Sequence, residues 1–169
     1  MEERGAAPPI EPLSRSHHIS QFRSGAPELD RYLKEQAGQD VRRRVAAAFV
    51  ALDAARVVGY YTLSSAAVEL AELPEEVRRR LPRYPQIPAT LLGRLAIDQT
   101  WQGRRLGERI LVDALFRSLA SEIASYAVVV DARDESAARF YAHYGFQPLE
   151  WSERRLFLPM ATVAKLRAK

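Results

Sequence analysis

Gln102, Gly103, Arg104, Arg105, Leu106 and Gly107 form a polar, glycine-bearing loop between a leucine-rich strand-like run that begins at Thr90 and a stretch with helical periodicity. Consecutive backbone N–H groups at a helix start offer fixed donors and the positive end of the helix dipole. Small residues at positions 103 and 107 let phosphate oxygens come close, and the glutamine and two arginines add polar reach. The chemistry that suits this layout is the grip of a pyrophosphate. The spacing is not the three-glycine dinucleotide fingerprint, and no second βαβ half follows it. No Gly-Lys-Ser/Thr sequence closes the loop, which excludes a P-loop.

The flanking residues predict the elements that must position this loop. Helical spacing of Leu29, Tyr32 and Leu33 predicts a helix over 27–38, with 39–44 as a candidate extension. A hairpin follows, with strands over 45–52 and 56–68 joined at Asp53-Ala54-Ala55. Pro74-Glu75-Glu76 opens a helix over 74–81, and Pro82, Pro85 and Pro88 break regular structure before a central strand over 89–98. A helix over 104–121, a buried strand over 126–131 and a helix over 135–144 ended by Gly145 come next. The tail predicts a strand over 154–158 and a helix over 161–167. This alternation specifies an α/β protein, a mixed twisted sheet with helices on both faces. Residues 1–12 read as a flexible N-terminal lead and residues 13–169 as a single domain.

A chain of 169 residues with 47% hydrophobic content can build a full core. The lack of cysteine excludes a disulfide framework and thiolate chemistry, and three histidines argue against zinc, so no metal is expected. No apolar run has the length of a signal-peptide core or a bilayer span, which predicts a cytoplasmic protein without a membrane partner. A net charge of +4 and a pI near 9.6 favour polyanionic partners. Arginines cluster at Arg42, Arg43 and Arg44, at Arg78, Arg79, Arg80 and Arg83, and at Arg104 and Arg105. Each cluster also reads as a solvated helix face.

The loop resembles the acetyl-CoA loop of the GNAT N-acetyltransferase superfamily, whose pattern is Gln/Arg-x-x-Gly-x-Gly/Ala after the fourth strand. Gln102 and Gly107 match its ends, while Arg105 stands at the central glycine. The segment from Asp134 through Ala137, Phe140 and Tyr141 to Gly145-Phe146 resembles the family's Asn-x-x-Ala-x-x-Phe/Leu-Tyr…Gly-Phe, with Asp134 in place of Asn. The resemblance implies the GNAT acyl-CoA N-acyltransferase fold with a splayed central strand pair and acetyl-CoA as donor. It implies that Leu95, Ala96 and Ile97 pair with the pantetheine, that residues 102–107 hold the pyrophosphate, and that Asp134, Ala137 and Phe140 belong to the cofactor site. It also assigns the general acid to Tyr141, whose phenol, ordinarily near pKa 10, stays protonated at neutral pH and can donate to the departing sulfur. Packing beside Phe140 is the other reading of Tyr141. Tyr144, His143, His17 and His18 are secondary candidates. Asp98 and Asp131 read as strand-end caps or as water-mediated proton relays. An α-amine, with a pKa near 8, needs little help from a base.

A closer resemblance bears on the acceptor. Phe22-Arg23-Ser24-Gly25, Glu28-Leu29-Asp30-Arg31-Tyr32-Leu33, Val58-Gly59-Tyr60-Tyr61-Thr62-Leu63, Pro88, Leu92-Gly93-Arg94-Leu95-Ala96-Ile97-Asp98 and Trp101-Gln102-Gly103 are similar to the GNAT toxins of bacterial toxin–antitoxin pairs, across most of residues 13–159. That similarity implies acetylation of the α-amine of aminoacyl-tRNA, a ribbon-helix-helix antitoxin and a homodimer. Arg42, Arg43, Arg44, Arg78, Arg79, Arg80, Arg83 and Arg94 would then supply phosphate contacts. Two other readings stand beside it. One is an ordinary GNAT acetyltransferase of a small amine, antibiotic or protein N-terminus. The other is a module that binds CoA or a partner without turnover, which Arg105 in the phosphate loop keeps open.

Overall fold

In a computed structural model that describes residues 6–152 and 154–169, the apolar runs form seven strands in the order β1-β2-β3-β4-β5-β7-β6. The strands are β1 (Ile10–Pro12), β2 (Ala47–Asp53), β3 (Arg56–Glu69), β4 (Gln86–Ile97), β5 (Ala127–Asp131), β6 (Gln147–Pro148) and β7 (Arg155–Pro159). The α-helices are α1 (Pro27–Arg31), α2 (Ala37–Arg42), α3 (Glu75–Arg78), α4 (Leu106–Ala120), α5 (Glu135–His143) and α6 (Met160–Arg167). Parallel pairing of β4 with β5 and antiparallel pairing of β5 with β7 make the sheet mixed, as expected.

Part of the expected flexible lead is corrected. Residues 1–5 lie outside the described residues, whereas Ile10–Pro12 pair antiparallel with β2, Ile10 opposite Ala51 and Pro12 opposite Phe49. The bonds Leu52 N–H to Pro9 O, 3.0 Å, and Leu13 N–H to Ala48 O, 2.9 Å, extend the ladder at both ends. Pro12, with no N–H to give, is tolerated because β1 is the edge strand.

By its contacts the chain divides into two compact units. The first comprises Met1–Thr62 and Arg94–Asp113. Its core gathers Phe22, Tyr32, Leu33, Ala37, Val50, Leu52, Val57, Tyr60 and Ala96. Pro27 starts α1, where its missing N–H costs nothing. A π-helical turn over Tyr32–Gln36 then carries the chain into α2. The helical segment does not stop at Gly38. It ends in a Schellman motif in which Val45 N–H reaches Asp40 O at 3.0 Å and Arg44 N–H reaches Val41 O at 3.1 Å. Arg44 occupies the left-handed position of that motif, with φ of 60°. Because residues 43–46 complete this cap, β2 starts two residues later than the predicted strand.

The second unit comprises Leu63–Gly93 and Ala114–Lys169. Its core gathers Val68, Leu73, Ile87, Ala89, Ala127, Val129, Leu149 and Phe157. β5 is buried at four successive positions, as a parallel strand covered on both faces should be. The helix predicted over 74–81 shrinks to Glu75–Arg78, and β6, only two residues long, pairs with β7. The β4–β5 register runs from Ala89 opposite Ala127 to Leu92 opposite Val130. β4 continues to Ile97, so residues 93–97 outrun the ladder with β5.

In the first unit, β3, β4 and α4 meet at Gly59. A Cβ there would lie 2.5 Å from Ile110 Cδ1, 3.2 Å from Ile97 Cδ1 and 3.5 Å from Ala96 O. Gly59→Ala is expected to destabilise the protein by about 1–2 kcal/mol in urea unfolding, through displacement of the Ile110 side chain. Adding Ile110→Val, which shortens the clashing side chain, should recover part of the loss.

Candidate active site

The end of β4 is held by one carboxylate. Asp98, only 2% exposed, accepts from Arg23 N–H at 3.0 Å, Thr100 N–H at 3.0 Å, Thr100 Oγ1 at 2.7 Å and Arg56 Nη2 at 3.2 Å. Burial alone would raise its pKa. The hydrogen bonds from Thr100 and from the Arg23 and Thr100 backbone, with the Arg56 charge, outweigh burial and hold the carboxyl below the ordinary carboxylate range. Asp98 is therefore a charged strut, with both oxygens engaged, rather than a free proton relay. Beside it, Gln99 N–H donates to Arg23 O at 2.7 Å. Gln102 Nε2 donates to Ser24 O at 2.8 Å and Ile97 O at 3.0 Å. The Gln102 amide thus ties the loop to residues 23–25 and is not aimed at a ligand. Ser24 is fixed in turn by Asp30, which accepts from its N–H at 3.0 Å and its hydroxyl at 2.6 Å.

The loop after Gln102 is open. Gly103 has φ of 80°, with nothing within 4 Å of where a Cβ would sit. Arg105, at the position of the family's central glycine, has φ of 62°. The chain keeps a left-handed conformation there and bears a cost of about 1 kcal/mol for doing so with a side chain. Arg104 lies over the Trp101 ring at 4.6 Å, and Arg104 and Arg105 are exposed while Leu106 is buried. Arg109 N–H bonds to Arg105 O at 3.2 Å, so α4 begins at Leu106 and not at 104 as predicted. The N–H groups of Leu106, Gly107 and Glu108 have no acceptor inside the helix, as at any helix start. Leu95 and Ile97, half-buried, flank buried Ala96 at the end of β4.

In the second unit, Asp134 is the N-cap of α5, and its Oδ1 accepts from Ala137 N–H at 2.8 Å. Asp and Asn cap equally well, which explains the departure from the family's Asn. Ala137 is half-buried in the first turn. Gly145, with φ of 97°, ends the helix as predicted. Phe146 N–H then bonds to Tyr141 O at 3.2 Å and Gly145 N–H to Ala142 O at 3.0 Å. That Schellman cap folds Phe146 back onto Tyr141, ring centroids 5.3 Å apart, while Phe140 packs edge-on to Tyr141 at 5.2 Å and to Tyr144 at 5.1 Å. Tyr141 is buried, and burial pushes its phenol well above the ordinary value.

The histidines have structural work. His17 Nδ1 accepts from Ser14 N–H at 3.0 Å and its Nε2 meets Glu11 Oε1 at 2.7 Å. His18 is exposed and bridges to Ala55 and Val57 through its backbone. His143 is exposed against Tyr144, and Asp131 pairs with Arg155 at 3.4 Å. Among the described residues no group of three or more His, Asp or Glu side chains could hold a metal ion.

The arginines fall into different settings. Arg42, Arg43 and Arg44 are exposed at the end of α2, and Arg80 and Arg83 are exposed around the end of α3. Arg78 Nη1 donates to Ala71 O and Leu73 O, both at 3.1 Å, and pairs with Glu150 at 3.5 Å. Arg79 pairs with Glu75 at 3.4 Å. Among the described residues Arg94 forms no ion pair. Its guanidinium lies 3.5 Å above the centre of the Tyr32 ring. Burial and the hydrogen bond to Asp40 push the Tyr32 phenol up to about 12. Tyr32, Arg23, Arg56 and Thr100 were missed from the sequence. Only the Asp98-x-Thr100 spacing carries a local signal, that of a side-chain cap.

A strand that outruns its parallel partner into a left-handed loop and a helix start places this chain in the acyl-CoA-dependent class of α/β transferases. It belongs to the GNAT acetyltransferase family: the family model for the acetyltransferase (GNAT) domain matches residues 45–148. A tRNA-acetylating toxin of Mycobacterium tuberculosis is 38% identical over 80% of this chain and 81% of its own length. The solved structure of AtaT complexed with acetyl-methionyl-tRNAfMet is similar with a TM-score of 0.88 and 29% identity, covering 94% of this chain and 98% of that one. A tyrosine-to-phenylalanine mutant of the AtaT toxin, bound to the C-terminus of the antitoxin AtaR and acetyl-CoA, is similar with a TM-score of 0.77 and 27% identity, covering 95% and 98%.

Replacing the Asp98 charge tests the strut. A carboxyl whose pKa is lower folded than unfolded stabilises the fold above the unfolded value near 4 and loses that contribution as pH falls through the folded value. Asp98→Asn is expected to cost about 3 kcal/mol in urea unfolding at pH 7. The difference from wild type should shrink as pH drops below about 4.

Proposed function

We propose that this protein transfers acetyl from acetyl-CoA to the α-amine of aminoacyl-tRNA, as the toxin of a toxin–antitoxin pair acting in the cytoplasm. The observation that carries this reading is the similarity, over most of both chains, to a tRNA-acetylating toxin and to AtaT holding an acetylated aminoacyl-tRNA. The partners that follow are a ribbon-helix-helix antitoxin and a second copy of the chain. Among the described residues no helix is long and apolar enough to cross a membrane.

The residues present fit the donor. Gly103 leaves open space where a side chain would stand, and the first-turn N–H groups of α4 seek acceptors. Residues 102–107 hold the pyrophosphate through backbone N–H groups, with Arg104 and Arg105 adding charge. Leu95, Ala96 and Ile97 present backbone groups to the pantetheine. Asp134, Ala137 and Phe140 complete the cofactor side, Asp134 by capping α5 and Phe140 by fixing the Tyr141 ring. When bound, acetyl-CoA supplies an activated acetyl group.

Tyr141 acts on the leaving sulfur. A thiol ordinarily titrates near 8.5 and a phenol near 10. Burial raises the Tyr141 phenol further, so complete transfer of its proton to a thiolate runs uphill. The phenol therefore stabilises the developing charge by donating a hydrogen bond, and the proton lost by the amine balances the charge. An aminoacyl α-amine, near pKa 8, is substantially neutral at pH 7 to 8. That agrees with the engagement of Asp98 and Asp131 in ion pairs. Arg42, Arg43, Arg44, Arg80, Arg83 and Arg94 serve as phosphate contacts, with Arg78 and Arg79 partly committed to their own helix and loop.

Transfer of labelled acetyl onto a bulk aminoacyl-tRNA pool, beside a panel of small amines and peptides, tests the reading. Label is expected on the tRNA pool, with a loss of about 100-fold or more in Tyr141→Phe. Label on small amines or peptides alone would overturn it. Arg105→Gly separates backbone strain from charge: stability should rise by about 1 kcal/mol in thermal unfolding, while acetyl-CoA affinity by calorimetry should fall severalfold. Tighter or equal binding would show that Arg105 does not contact the CoA phosphates.

A further inference from the structure

Arg94 differs from the other basic residues of this chain. It is half-buried on β4, and its guanidinium carbon lies over the Tyr32 ring at 3.5 Å from the ring centre. Among the described residues it makes no hydrogen bond or ion pair, so its five N–H donors are unspent. The nearby carboxylate is already engaged, since Asp40 accepts from Tyr32 Oη at 2.8 Å and from Gln36 Nε2 at 2.9 Å. Tyr32 is itself held in place. Its ring stacks on Tyr60 at 6.4 Å, and the π-helical turn that begins at Tyr32 lets Tyr32 and Leu33 both face the core. π-turns of this kind recur at functional sites.

The face on which Arg94 lies decides what it can meet. Side chains alternate along a strand, so Arg94 shares the face of Ala96, which packs with Tyr32, Leu33, Ala37 and Tyr60 under the helical segment. Ile97 lies on the other face, where its Cδ1 and the Ile110 Cδ1 of α4 both crowd Gly59. The loop that opens α4 is therefore on the face opposite Arg94. An anion taken by Arg94 comes with the acceptor, not with the donor's pyrophosphate.

We propose that the Arg94 guanidinium on its Tyr32 shelf is a preorganised receptor for one phosphodiester near the 3′ end of the acceptor nucleic acid, and so fixes the aminoacyl end beside β4. This deepens the aminoacyl-tRNA reading and rests on it. The planar guanidinium takes two non-bridging oxygens side by side through one edge, while its face stays on the aromatic ring. A lysine reaches the same anion as a point charge without the fork or the stack. Arg94 and Tyr32 then set acceptor affinity more than turnover.

The test titrates the trinucleotide CCA onto the whole protein and follows arginine Nε–Hε signals by NMR, assigning Arg94 as the signal lost in Arg94→Lys. The Arg94 signal is expected to shift with CCA and to stay still with acetyl-CoA. Arg94→Gln and Tyr32→Leu, checked for folding by thermal unfolding, should weaken CCA binding at least fivefold, with Arg94→Lys between them and wild type. In turnover, Arg94→Gln should raise KM for aminoacyl-tRNA about tenfold, with a much smaller change in kcat. The slope of log affinity against log salt should fall by about one. A signal that ignores CCA, or one that moves with acetyl-CoA, overturns the proposal, as does an equal loss in Arg94→Gln on a phosphate-free amino-acid amide. If wild type shifts with CCA but acetylates no aminoacyl-tRNA, the receptor stands and the reading of the acceptor falls.

Discussion

One buried charge organises the first unit. Asp98 stands where β4 stops, and its two oxygens gather backbone and side-chain donors from residues 23, 56 and 100, which are distant in sequence or lie in the loop itself. A carboxylate with 2% exposure is tolerated only because every direction in which it needs a donor is served. That requirement fixes the segment before α1 against the segment before α4. Gln102 and the Gln99–Arg23 backbone bond repeat the connection a few residues on. The entrance to the helical segment and the loop before α4 are thus built from one hydrogen-bonded patch, and neither can shift without loosening the other.

Much of this was legible in the residues. The matches at 102–107 and 134–146 led to the family whose model covers 45–148, and the Gly145 cap and the order of the central elements followed local rules. The misses have physical causes. β1 and β6 are three and two residues long, too short for periodicity to register, and exist because a neighbour offers an edge. Gly38 resembles a stop, so 39–44 could be read only as a candidate extension of the helix; the extension is real, and the actual stop uses Arg44. Its apolar positions, Leu29, Leu33, Ala37 and Val41, recur every four residues, a spacing that drifts around an α-helix. The extra residue of the π-turn absorbs the drift. Side-chain partners far apart in sequence, such as Asp98 with Arg56, leave no local signal at all.

Arginine stands at two positions where backbone handedness favours glycine, Arg44 at the end of α2 and Arg105 before α4. The side chains at both are exposed, so neither is retained for packing. Strain of this size, about 1 kcal/mol at each position, is offset by no packed side chain. It does lower the stability of the empty protein. The same logic separates Arg94 from the rest: its cost is desolvation rather than strain, met by an aromatic face instead of a counter-ion.

The ladder between β4 and β5 stops at Leu92 and Val130 although β4 runs to Ile97. A sheet normally exposes its hydrogen-bonding groups at its rims, where charge and proline guard them. Here residues 93–97, at the end of the fourth strand of seven counting in from β1, have no ladder partner in β5. If the pantetheine of acetyl-CoA pairs with these residues, as proposed above, it would act as an interior strand, and its occupancy would be linked to folding by mass action. At a concentration one hundred times its Kd it adds about 2.7 kcal/mol to the free energy of unfolding. On that reading the resistance of the protein to unfolding would rise with the concentration of acetyl-CoA.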